Sequence, residues 1–193
     1  SGAANYLNEG AFDSDSVTVD GTVTFAAAIA IFGANPDATF AISDTKGNFV
    51  ANVANAAYAA ATSVTITDAM TVAELAAIEA NGANALTVTS GFDLADDHAN
   101  LVLPANAAVV ARAGDVLVGD AAGISVIQAL AAEALSNSGT TTYSLLTDTV
   151  VNLLAASSTV RSHAESAVVS GGAQLTVSQA NSLIIKYTAD VAD

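Results

Sequence analysis

The chain has 193 residues, no cysteine, 19 Asp plus Glu against 4 Lys plus Arg, and a formal charge of −15. This composition excludes disulfides, thiolate metal sites and a cysteine nucleophile, and it disfavours docking on nucleic acid or on anionic lipid. Hydrophobic residues make up 52% but aromatics only 5%, which suits thin, closely packed layers, and no stretch is apolar and long enough for membrane insertion.

The first predicted strand covers 16–19, where Val17 and Val19 alternate with Ser and Thr. Thr24 then opens a helix that Gly33 closes. A second strand at 39–42 leads into Asp44, read as the cap of a helix whose Phe49, Val53, Ala56 and Ala60 form one buried stripe. After a strand at 64–67 comes Thr71-Val72-Ala73-Glu74, a capping box in which hydroxyl and carboxylate satisfy helix-start amides reciprocally. Met70 stands before it as a hydrophobic staple, and Asn81-Gly82 supplies the stop.

A strand at 86–89 leads to Asp96, but Pro104 follows closely and predicts a helix that is short, kinked or replaced by irregular chain. The strand at 116–119 precedes a second capping box, Ser125 to Gln128, with Ile124 as its staple and Gly139 as its stop. The strand at 143–146 leads to Asp148 as a further helix cap. The strand at 168–170 precedes a third capping box, Thr176 to Gln179, with Leu175 as its staple.

These landmarks keep a fixed step. Asp, three residues, Asn and a large apolar residue recur as Asp44…Asn48-Phe49, Asp96…Asn100-Leu101 and Asp148…Asn152-Leu153, and 96 − 44 = 148 − 96 = 52. The strands that begin at 64, 116 and 168 keep the same step. A period of this length marks a stacked array in which each unit buries its apolar face against its neighbours.

The expected fold is α/β, a repeat solenoid of about 52-residue strand-helix-strand-helix units with parallel strands. It forms one repeat-array domain over 1–193, with a partial repeat at 8–39 and repeats at 40–84, 85–139 and 140–193. Each half-unit has about 26 residues, and the pattern leaves open whether one turn of the array spans a half or a whole unit. The chain lacks an initial Met, so it is read as a piece of a larger protein, with Ser1-Gly2 as a cloning remnant.

Little in the sequence points to catalysis. His98 and His163 are the only histidines and are not spaced as a metal pair. No nucleophile elbow, phosphate loop or dinucleotide fingerprint is present, so the chain is read as a non-enzyme. Asn48, Asn100 and Asn152 are expected to form a polar column from turn to turn. The one cofactor worth naming is calcium, a hard cation that collects oxygen ligands. Asp93, Asp96 and Asp97 cluster beside the irregular unit. Gly114-Asp115-Val116-Leu117-Val118-Gly119-Asp120 is similar to the core of calcium-binding nonapeptide repeats. Asp93, Asp96, Asp97, Asp115 and Asp120 are therefore the candidate metal ligands.

The run from Asp44 to Phe49, echoed in Asp148-Thr149-Val150-Val151-Asn152-Leu153, resembles the Asp-Thr-x-x-Asn repeats of large secreted bacterial surface proteins, adhesin-like or surface-layer-like. Leu175-Thr176-Val177-Ser178-Gln179-Ala180 and Met70-Thr71-Val72-Ala73-Glu74-Leu75 are similar to the companion element of those repeats, and the middle copy departs from the pattern by lacking the Thr. The resemblance implies an extracellular structural or adhesive segment, acting as a rigid spacer or assembly surface. Its partners would be other domains of the same chain, neighbouring copies or cell-surface glycans. A glycan- or small-ligand-binding module using 92–120 is the alternative.

Overall fold

The computed structural model describes residues 17–81, 92–172 and 174–189. The expected strand at 86–89, the stop at Gly82, and residues 8–16 lie outside them. The chain forms two compact units, residues 1–92 and 93–193. Both mix helices with short parallel strands.

In the first unit, β1 (Thr18–Val23), β2 (Thr39–Asp44) and β3 (Ala61–Ile66) form a parallel sheet in chain order. Thr18 faces Thr39 and Ile42 faces Val64, offsets of 39 − 18 = 21 and 64 − 42 = 22 residues. The strands are separated by α1 (Phe25–Ala34), then by α2 (Lys46–Asn52) and α3 (Ala56–Ala60), and α4 (Val72–Asn81) follows β3. Alternate strand residues Phe40, Ile42, Val64 and Ile66 are buried, as the period-two pattern requires.

The first unit's core includes three rings. Phe25 meets Phe49 edge-on with centroids 5.2 Å apart, and Tyr58 stacks on Phe25 at 6.2 Å. Such pairs contribute about 0.5–1.5 kcal/mol each beyond the area they bury. The predicted helix from Asp44 is broken between Asn52 and Ala56. Its second piece has its own cap, Asn55, and buries Ala57 and Tyr58 rather than Val53 and Ala56. The stripe drawn from one continuous helix is thus corrected beyond Phe49, because the break resets the helical phase.

In the second unit, β4 (Leu94–Asp96), β5 (Val116–Val118) and β6 (Thr141–Tyr143) form one parallel sheet, and β7 (Leu146–Asp148) and β8 (Ala167–Val169) another. Offsets between facing residues are 116 − 94 = 22, 141 − 116 = 25 and 167 − 146 = 21. Facing strands are thus one strand and one helical stretch apart, nearer the half-unit than the 52-residue unit.

The helices of this unit are α5 (His98–Leu101), α6 (Ala107–Val110), α7 (Val126–Ala132), α8 (Val150–Ala155), α9 (Ser158–Ser162) and α10 (Val177–Ala189). Pro104 has the expected effect: α5 is one turn, a 3-10 turn runs Pro104–Asn106, and α6 restarts after it.

The three capping boxes form as read. Thr71 N–H donates to Glu74 Oε2 at 2.8 Å, Ser125 N–H to Gln128 Oε1 at 2.9 Å, and Thr176 N–H to Gln179 Oε1 at 3.0 Å. Met70 and Ile124 are buried beneath their boxes, whereas Leu175 is exposed.

Two glycine stops are corrected. Gly33 lies inside α1, which runs on to Ala34, and α7 ends at Ala132, well before Gly139. Gly139 is required for another reason. A Cβ there would stand 2.3 Å from Asp115 Oδ1 and 2.8 Å from the Gly114 carbonyl carbon.

Candidate functional site

The first turn of a helix leaves backbone N–H groups without intrahelical acceptors, and these favour a nearby anion. At several helices among the described residues the acceptor is a carboxylate at or just past the end of a strand further along the sequence. Asp44, the last residue of β2, accepts Phe25 N–H of α1 on Oδ2 at 2.9 Å. Its Oδ1 accepts Thr45 N–H at 2.8 Å and the Asn48 side-chain amide at 2.6 Å.

Asp148, the last residue of β7, repeats the arrangement. Oδ2 accepts Val126 N–H of α7 at 3.0 Å, and Oδ1 accepts Thr149 N–H and the Asn152 amide at 2.7 Å each. Asp96 makes the same bonds to its own turn, with Asp97 N–H at 2.8 Å and the Asn100 amide at 2.7 Å.

This geometry corrects two readings of the repeated motif. The helix caps are Thr45, Asp97 and Thr149, each one residue after the Asp; the threonines accept from Asn48 and Asn152 N–H, and Asp97 makes no cap bond. The Asn residues do not form a column from unit to unit. Each grips the Asp four residues before it, and at Asp44 and Asp148 the other carboxylate oxygen accepts an amide outside their own helix.

More carboxylates use the same chemistry. Asp68 accepts Lys46 N–H of α2 at 2.6 Å, and Asp120 accepts His98 N–H of α5 at 2.6 Å, each 22 residues away. Asp93 accepts Asp115 N–H at 2.9 Å, and Asp115 in turn accepts Thr140 N–H at 2.7 Å. Carboxylates that end or follow a strand, Asp44, Asp68, Asp120 and Asp148, thus hold helix-start amides, and those that precede a strand, Asp93 and Asp115, hold the amides before the adjoining strands.

Four of the five candidate calcium ligands are engaged on backbone amides: Asp93, Asp115 and Asp120 hold amides 22 to 25 residues away, and Asp96 accepts the N–H of Asp97. Asp97 is exposed and serves as the N-cap of α5. The structure does not bring the five together. Among the described residues no group of three or more His, Asp or Glu side chains is placed to hold a metal ion.

The hydrogen bonds set the charge state of two of these carboxylates. The Asn48 amide holds the Asp44 carboxyl below its ordinary value against the opposing effect of burial, with Phe25 and Thr45 N–H acting in the same direction. At Asp148 burial is the largest single influence and works against the charge. The bonds from Asn152, Val126 and Thr149 together outweigh it and hold this carboxyl low as well. In the first unit, Glu74 also accepts Lys46 Nζ at 3.1 Å, and its carboxyl is lowered first by the Thr71 N–H bond of the capping box.

One polar cluster had no signal in the sequence. Glu133, just past α7, receives the hydroxyl of fully buried Tyr143 and lies 2.9 Å from His163 Nδ1. The three are separated by 10 and 30 residues, so no local spacing announces them. The ring of the other histidine, His98, has a buried Nε2 with no hydrogen-bond partner among the described residues.

Comparison with protein families, with curated proteins and with solved structures returned no match. The functional reading therefore rests on the chain's own geometry.

Proposed function

We propose that this chain is a structural or adhesive segment of a secreted or cell-surface bacterial protein, serving as a rigid spacer or an assembly surface. Its strand–helix stretches stack as an α/β repeat solenoid, each half-unit of the 52-residue sequence repeat adding one layer. The observation that carries this reading is the use made of the acidic residues. Side chains that would supply ligand or catalytic chemistry, Asp44, Asp68, Asp93, Asp115, Asp120 and Asp148, hold backbone amides of adjoining stretches instead. Carboxylates committed in this way stiffen a repeat array against extension, because each layer is tied to the next by charge-assisted bonds as well as by apolar contact.

Pulling the chain from its two ends in a force-extension experiment tests the proposal. A spacer resists extension and lengthens in discrete steps as layers detach. Smooth lengthening at low force would refute it. So would saturable glycan binding that disappears on mutating 92–120, which would assign the chain to ligand recognition.

A further inference from the structure

The Asp–Asn rungs at Asp44 and Asp148 share a feature that a mere helix cap does not need. One carboxylate oxygen is spent on the residue's own turn, and the other reaches a helix start 19 residues earlier at Asp44 and 22 residues earlier at Asp148. Both oxygens accept, so neither tolerates a proton. A neutral carboxylic acid carries an O–H donor on one oxygen. If that oxygen faces Phe25 or Val126, two donors confront each other; if it faces Asn48 or Asn152, the same conflict arises inside the turn.

We propose that these rungs are a proton-operated release built into the fold: protonating Asp44 and Asp148 frees the helix starts of α1 and α7 from the following strands, while the helices keep their own caps.

The groups surrounding each rung leave the carboxylate as the part that titrates. Asp44 faces Thr45 and Asn48 of its own turn and the Phe25 amide. The neighbouring ammonium of Lys46 is paired with Glu74, and Lys46 N–H belongs to Asp68. Asp148 faces Thr149, Asn152 and the Val126 amide. The charged group that ends α7, Glu133, is occupied by Tyr143 and His163. The local caps are hydroxyls: Thr24 accepts Ala27 N–H at 3.3 Å and Ser125 accepts Gln128 N–H at 3.3 Å, so acid leaves them intact.

The direction of the effect follows from the lowered pKa of both carboxyls in the folded state. A carboxyl whose folded pKa lies below its unfolded one contributes stability above the unfolded value, and that contribution is lost as pH falls through the folded value. The rungs are therefore closed at neutral pH and open in acid.

Amide hydrogen exchange across a pH series reads each rung separately, once corrected for the intrinsic pH dependence of exchange. Protection of Phe25 and Val126 N–H should be lost as the pH falls from neutral to below the ordinary carboxylate range, while Gln128 N–H, held by the Ser125 hydroxyl, stays protected. Asn152→Ala removes a bond that holds the Asp148 carboxyl low, so it should move the release of Val126 to higher pH and leave that of Phe25 unchanged. This variant keeps the carboxylate and its bond to Val126 N–H, so it tests the device without deleting it. Loss of Val126 protection only together with Gln128, or a release point that Asn152→Ala fails to move, would overturn the proposal.

Discussion

Replacing Asp148 by Ala isolates one of these rungs. The carboxylate serves three donors, but they are not equivalent once it is gone. Thr149 and Asn152 are exposed, so their N–H groups turn to water at little cost. Val126 is only 7% exposed, its N–H points at Asp148 from 3.0 Å, and as the first residue of α7 it has no intrahelical acceptor. Losing a charge-assisted bond to a buried donor costs about 1.5–3 kcal/mol, and the relief of desolvating Asp148 itself offsets a fraction of this. Asp148→Ala should therefore destabilise the chain by about 2 kcal/mol, Asn152→Ala by about 0.5–1 kcal/mol, and the exposed control Asp97→Ala by less than about 0.5 kcal/mol. Urea unfolding followed by circular dichroism supplies the comparison, with an unchanged denaturant slope confirming that stability alone has moved. If Asp148→Ala proved no more costly than Asp97→Ala, the claim that this carboxylate holds a neighbouring stretch would be wrong.

Three further outcomes follow from the same structure. Gly139→Ala places a methyl group 2.3 Å from Asp115 Oδ1 and should cost about 1–3 kcal/mol, with faster exchange of Thr140 N–H as the local sign; a neutral result would show that the approach is looser than described. Tyr58→Phe removes a buried hydroxyl that has no partner among the described residues while keeping the ring stacked on Phe25. It should raise stability by about 1 kcal/mol in the same urea assay, and a loss would mean that the hydroxyl is satisfied in solution. With Asp93, Asp96, Asp115 and Asp120 engaged on N–H groups, the melting temperature should be the same in calcium and in chelator; a saturable rise with calcium would show that these residues, with Asp97, rearrange into a metal site.

The parts of the fold that were legible in the sequence are those governed by short spacing. Ser125 and Gln128 sit three residues apart, so their reciprocal bonds follow from the sequence alone, and Pro104 interrupts its helix whatever lies around it. The Asp–Asn spacing was equally plain, but its meaning was not. Four residues define the grip of Asn48 on Asp44, while the second oxygen of Asp44 finds Phe25 only because two strands lie side by side 19 residues out of phase at that end, where Val23 faces Ile42. Asp68 and Asp120 serve the same purpose outside the motif, with no Asn to mark them, and so could not be grouped with it. Gly139 reads as a helix stop from composition; its real constraint, the Asp115 carboxylate, comes from a stretch about one strand–helix length away. The acidic cluster near 93–97 suggested a cation because sequence shows charge but not the amides that surround it.

The central claim is that strand-end carboxylates hold the helix starts of adjoining stretches. Trans-hydrogen-bond scalar coupling in a uniformly 15N,13C-labelled sample observes that bond itself. At neutral pH the account predicts correlations from Val126 15N to the Asp148 carboxylate carbon and from Phe25 15N to that of Asp44. Absence of both correlations, with rapid solvent exchange at the two amides, would contradict it.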